Sequence, residues 1–145
     1  MLAGAILSLL SLVGASPVTI VERGIIPVHK IGCYPDVINE ADITLARLKL
    51  QIWGRTHKVG LGMYHGEKYN ESAVWVCNCK HFYKDHIVEE ELDEARELIK
   101  GECGEIVAGW VWSKKWQKSW NYGTAEEMDS DYYGDKCPQF CVWSY

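Results

Sequence analysis

Six cysteines constrain this chain more than any other feature: Cys33, Cys77, Cys79, Cys103, Cys137 and Cys141. An even count in a short chain predicts a disulfide framework, provided the chain meets an oxidising compartment. The N-terminus points to such a compartment. Ala3 to Val13 is apolar apart from Gly and Ser, and the run is too short to span a bilayer. Val13-Gly14-Ala15 fits the small-residue rule for cleavage. Residues 1–15 therefore read as a signal peptide, although their start carries no Lys or Arg, and residues 16–145 as a single secreted domain. The remaining chain is long enough for one modest core. No later apolar run approaches membrane length, so no membrane insertion is expected.

The middle of the chain, Val88 to Trp116, organises the rest. Val88, Leu92, Ala95 and Ile99 fall on one face of a helix. Acidic residues crowd its first turns and Lys100 sits in its last, as the macrodipole favours. Gly101 is the expected stop, and Cys103 follows. Glu105 to Trp112 is too apolar to alternate and reads as a strand covered on both faces.

Upstream, Val18 to Val21 and Ile25-Ile26 suggest a strand or extended arm ending near Cys33. Tyr34-Pro35-Asp36 reads as a turn that opens a helix capped by Asn39 or Asp36. Ala41, Leu45, Leu48 and Ile52 are that helix's apolar face, and Trp53-Gly54 its end. Val59 to Tyr64 is a short expected strand and His65 to Asn70 a turn. In the next strand, Glu71 to His81, Val74, Val76, Asn78 and Lys80 point one way and Ala73, Trp75, Cys77 and Cys79 the other. After Asn121 the chain is rich in Gly, Asp and Tyr and reads as a loop pinned by Cys137 and Cys141.

The order is β-α-β-β-α-β. The economical fold is α+β: a disulfide-stabilised two-layer sandwich, with two helices on one face of an antiparallel four-stranded sheet. Cys77 and Cys79 share a face, and Cys103 is expected to lie over it. One of that pair should then bond Cys103 and the other Cys33. Cys137 and Cys141 pair with each other or exchange into this set.

The formal charge of −5 disfavours a nucleic-acid binder, which needs a broad basic surface. The five histidines (His29, His57, His65, His81 and His86) are scattered, and nothing in their spacing assembles an acid–base pair with Glu71 or Glu105. Cys77-x-Cys79 with His81 approaches metal-ligand spacing. Structural zinc prefers a longer gap and an oxidising compartment favours disulfides, so neither metal nor other cofactor is expected. Asp129 to Gly134 begins like an EF-hand loop, but Tyr133 and Phe140 stand where ligands belong, leaving a solvated acidic loop. Asn70-Glu71-Ser72 is an N-glycosylation acceptor. The most suggestive cluster is aromatic and basic. Trp110 and Trp112 belong in the core. Trp116 and Trp120, interleaved with Lys114, Lys115 and Lys118, are expected to be partly exposed and to meet a partner.

A targeting segment, six cysteines, Cys77-Asn78-Cys79, a helix, Cys103-Gly104 and Ala108-Gly109-Trp110, in β-α-β-β-α-β order, resemble the small secreted cysteine-rich effectors of plant-pathogenic fungi, avirulence proteins included. In particular they look like those built as a killer-toxin-like α/β sandwich. The resemblance is one of pattern and covers roughly Cys33 to Trp116. It implies a non-enzymatic virulence protein, extracellular with later uptake into host cells open to it. Such a protein binds a host plant protein and is recognised by a plant immune receptor. The Cys137/Cys141 tail and the Trp/Lys segment do not map onto the family, and no functional residue is carried over. Two other functions compete: a killer or antimicrobial toxin against competing microbes, and a secreted ribonuclease-like enzyme. The acidic charge argues against a toxin that binds anionic membranes directly.

Overall fold

The computed structural model describes residues 24–130, 136–138 and 141. The expected signal peptide and Val18 to Val21 lie outside the described residues. The fold is α+β, but its sheet has five strands: β1 (Lys30–Val37), β2 (Tyr64–Tyr69), β3 (Ser72–Asn78), β4 (Val107–Ser113) and β5 (Lys118–Thr124). The helices are α1 (Glu40–Gly54), α2 (Glu89–Cys103) and a short α3 (Ala125–Asp129). The strands run β1-β4-β5-β3-β2 across the sheet, and every pairing is antiparallel.

Both faces of the sheet are covered. On one, Val74, Val76, Val111, Trp120 and Tyr122 pack under Ile43, Ala46 and Leu50 of α1 and Leu92, Ala95 and Ile99 of α2. On the other, Ala73, Trp75, Cys77, Cys79 and Trp112 pack with Met128 of α3 and with Cys137 and Cys141. The alternation expected of β3 is therefore met. All seven of its residues are buried because the two-residue period feeds two separate cores.

Four expectations change. β2 begins at Tyr64, where the expected strand ended, and Val59 forms only a bridge with Asp85. Tyr34-Pro35-Asp36 lies within β1, whose pairing with β4 shifts register between Cys33 and Val37. The segment after Asn121 is the end of a strand and then a helix, not loop, because β5 (Lys118–Thr124) fills the gap between β3 and β4 and α3 follows it. α1 turns Ile43, Ala46 and Leu50 to the sheet and leaves Leu45, Leu48 and Ile52 exposed, so its core face is not the expected one.

The cysteines form three disulfides, Cys33–Cys103, Cys77–Cys137 and Cys79–Cys141, and none is free. Cys103 therefore does not reach Cys77 or Cys79. Val74 and Val76 face the helices, so Cys77 and Cys79, on the opposite parity of the same strand, face away from α2 with the sheet in between. Their partners come from the tail. Cys103 instead bridges to β1, beside which α2 runs.

Candidate binding surface

One end of the sheet gathers the aromatic and basic side chains. β3 pairs with β5 so that Asn78 lies opposite Lys118. The chain leaving β3 thus runs beside the turn that joins β4 to β5, and the Cys79 N–H donates to the Gln117 carbonyl at 2.9 Å. Gln117 makes that turn in a left-handed conformation, with φ of 47°. Buried Asn78 holds the neighbouring loops. Its Nδ2 lies within hydrogen-bond distance of the carbonyls of Val59, Gly60 and Tyr83, and its Oδ1 accepts from the Lys80 N–H at 3.0 Å. The carboxylate of Asp85 pairs with Lys80 and with Lys118.

Lys118 and Trp120 are not where the sequence put them. Lys118 is 2 % exposed and Trp120 fully buried, because both point from β5 toward the helices. The Lys118 ammonium donates to the His86 carbonyl at 2.7 Å and to the Glu91 carboxylate, which also accepts from the Trp120 indole N–H at 3.2 Å. A buried ammonium requires such partners. These two residues pin the loop at 79–88 from beneath; neither presents a face to a partner.

Above them stand more open residues. Lys114 and Lys115 are exposed, Trp116 is half-buried, and its ring lies tilted 6.2 Å from Trp120. Phe82 and Tyr83, 82 % and 73 % exposed, are the most open large apolar side chains among the described residues. A groove of about 310 Å³ runs between them and Trp116, with Lys80 and Lys115 on its walls. A second groove of about 250 Å³ flanks Trp116 on the side of Asp85 and Glu91. Phe82 and Tyr83 were not expected from the sequence. Their signal was present: two adjacent aromatics beside a histidine and a lysine, just after the alternation of β3 stops and before a helix begins.

The other candidates are dispersed. Trp110 is half-buried and Trp112 buried, each paired across β4 with β1, as core residues should be. His57 and His65 stack on Trp53, with ring centroids 4.9 and 3.6 Å away. Two rings so close to one indole face would overlap, so they lie on opposite faces and the indole separates them. His29 and His86 are exposed at other places, and His81 lines the groove at the tip with its ring 6.0 Å from Phe82. Glu71 sits in the β2–β3 turn and Glu105 just past α2, and neither is brought against a histidine pair. Asn70 turns the chain between β2 and β3 with φ of 48°, and its Nδ2 donates to the Asp42 carboxylate at 3.1 Å. Asn70 is exposed, as an acceptor site for a glycan must be. Among the described residues no group of three or more His, Cys, Asp and Glu is placed to hold a metal ion.

At the far end of the sheet lies an acidic groove of about 640 Å³, between Tyr34, Asp36, Glu71, Glu126 and Glu127. Burial, and then the adjoining Asp36 carboxyl, push Glu127 up to about 7 against the lowering effect of the Thr124 N–H that it accepts. The groove therefore keeps part of its carboxyl charge neutralised near neutral pH.

Compared with protein-family models, with curated proteins and with solved structures, the chain finds no match in any of the three.

Proposed function

We propose that this protein is a secreted fungal effector of the avirulence type. In this reading it is non-enzymatic: it binds a host plant protein and is open to recognition by a plant immune receptor. The observation that carries the reading is the aromatic and basic tip. Phe82, Tyr83 and Trp116 stand beside Lys114 and Lys115 on two adjoining loops. Exposed tryptophan and tyrosine are the side chains enriched in protein–protein hot spots, and a rigid support lowers the entropy lost when such residues dock. Asn78, Asp85 and Lys118 supply that support. Three disulfides fit the oxidising exterior in which an effector of this kind must persist.

The test is a graded dose of purified protein in leaves of a responding plant, read as ion leakage. Phe82→Ala with Tyr83→Ala, and Trp116→Ala separately, should retain secreted yield and circular dichroism. Each should need about tenfold more protein for the same response, the cost of losing one hot-spot residue. An unchanged dose response in the triple variant would remove the tip from the function. Growth arrest of competing fungi, or cleavage of RNA, by the parent protein but not by that variant would transfer the tip to the toxin or the ribonuclease reading.

A further inference from the structure

The aromatic tip carries a charge opposite to that of the molecule as a whole. The chain has a formal charge of −5, and the groove at the far end of the sheet is walled by Asp36, Glu71, Glu126 and Glu127. The groove between Phe82, Tyr83 and Trp116 has no carboxylate on its walls; Lys80, Lys115 and His81 stand there instead. Part of that charge is already engaged. Lys80 is bonded to Asp85, and Lys118 beneath it to Asp85 and Glu91. Lys84, Lys114 and Lys115 differ: each is exposed, and none makes an ion pair among the described residues. Lys84 follows Tyr83 in the chain and Lys115 precedes Trp116, so a free cation adjoins the aromatic wall on either side of the groove. We infer that the tip takes an acidic segment of its partner protein, one in which carboxylates flank a large apolar side chain. This rests on the reading of the tip as the protein-binding surface.

Shape and charge together choose this occupant. At about 310 Å³ the groove lies at the small end of the range that binding pockets span, enough for a side chain and the backbone that carries it. An apolar side chain entering between Phe82 and Trp116 sets its neighbours in sequence near the lysines on either side. Carboxylates suit those positions, whereas basic residues would add to a positive charge that nothing balances. The wider field agrees. The tip is positive and the opposite end of the sheet negative, so the molecule turns this end toward an acidic partner. An anionic bilayer also offers negative charge, but it is broad and is met by a convex face. Here Trp116 is half-buried with a groove on either side of it. A broad surface would also meet the acidic remainder of a chain of net charge −5. Three free lysines are few for a nucleic acid for the same reason.

The test titrates the protein, with its three disulfides intact, into dye-labelled Asp-Glu-Glu-Phe-Asp-Glu and into its amide counterpart Asn-Gln-Gln-Phe-Asn-Gln, with fluorescence polarisation as the readout. The acidic peptide should bind about tenfold more tightly, and the difference should shrink as salt rises from about 0.05 to 0.5 M. A charge variant, Lys84→Glu with Lys114→Glu and Lys115→Glu, should abolish the difference and leave circular dichroism unchanged, since these side chains are exposed. An aromatic variant, Phe82→Ala with Trp116→Ala, should weaken both peptides by about tenfold. Equal affinity of the parent protein for the two peptides overturns the inference, as does binding to neither. Capture by phosphatidylserine vesicles in that second case would give the tip to a membrane surface. Leaf response separates this failure from failure of the tip itself. Full response to the charge variant beside a lost response to the aromatic one removes the acidic partner and keeps the tip as the binding surface. Full response to both removes the tip.

Discussion

Glu127 and Glu40 pull the pH dependence of stability in opposite directions, and each does so through named neighbours. Burial works to raise the Glu40 carboxyl, but the Arg96 guanidinium at 2.7 Å and the Lys100 ammonium at 3.2 Å outweigh it and hold it below its ordinary value. Its contribution is present above the ordinary carboxylate range and is lost as pH falls through the lowered value. Glu127 is raised, to about 7, so its protonated form is the one that the fold favours. That contribution is full below the ordinary carboxylate range and disappears as pH rises toward 7. Glutamine at 127 keeps an acceptor for the Thr124 N–H and offers Asp36 a permanent donor. Glu127→Gln should therefore flatten the melting temperature between pH 4.5 and 7 and raise it by a few degrees at pH 8. Thermal melts over that range decide the matter, and a slope equal to the parent's would refute the assignment. None of this could be read from the sequence, in which Glu127 is one acid among several in an apparent loop. Lys118 was hidden for a related reason. A lysine in a run of lysines looks solvated until a strand turns it inward toward Glu91, Asp85 and the His86 carbonyl.

The elements were legible in proportion to how far their burial follows from periodicity. α2 emerges from its apolar stripe, and Leu92, Ala95 and Ile99 are its buried face. Its end was misplaced by three residues. The helix continues through Gly101 to Cys103, and Gly104, with φ of 117°, is the residue that breaks it. A Cβ at Gly101 would meet nothing within 4 Å, so Gly101→Ala should stabilise the protein by about 0.5–1 kcal/mol. Gly104→Ala should cost about 1–2 kcal/mol, since an L side chain disfavours that backbone. Denaturant midpoints for the pair test the boundary, and matching shifts of one sign would contradict it. α1 failed differently. With two apolar faces, periodicity identifies a helix but cannot say which face meets the sheet, and tertiary packing chose Ile43, Ala46 and Leu50. β5 failed because it buries polar residues that its neighbours accommodate. Asn121 donates to the Trp75 carbonyl at 3.3 Å and to the Ser119 hydroxyl at 3.1 Å, and pairing of this kind leaves no apolar pattern to detect. The aromatic tip was half legible. Lys114, Lys115 and Trp116 stood out by composition, but Phe82 and Tyr83 join them only because β3 lies beside β5.

At the scale of the whole molecule, the sheet separates two bonding territories. On the helix side, Cys33–Cys103 ties edge strand β1 to the end of α2. On the far side, two bridges fasten the tail to β3. Removal of the first bridge, which spans 70 residues, forfeits about 4 kcal/mol on the chain-entropy estimate, in a domain whose whole stability is of order 5–15 kcal/mol. Cys103→Ala also leaves the exposed Cys33 with a free thiol. The expected result is a collapse in secreted yield, with disulfide-linked dimers on non-reducing gels, while Cys77 and Cys79 remain bonded to the tail. Normal yield with a fully monomeric product would show that α2 does not need its anchor. The same pairing has a consequence for biosynthesis. Cys33, Cys77 and Cys79 leave the ribosome before any other cysteine, and no two of them are native partners. Every disulfide closed before residue 103 is made is therefore wrong and has to be undone by thiol–disulfide exchange. Each native bridge thus awaits the second half of the chain, and any bond closed earlier depends on exchange, which an isomerase speeds.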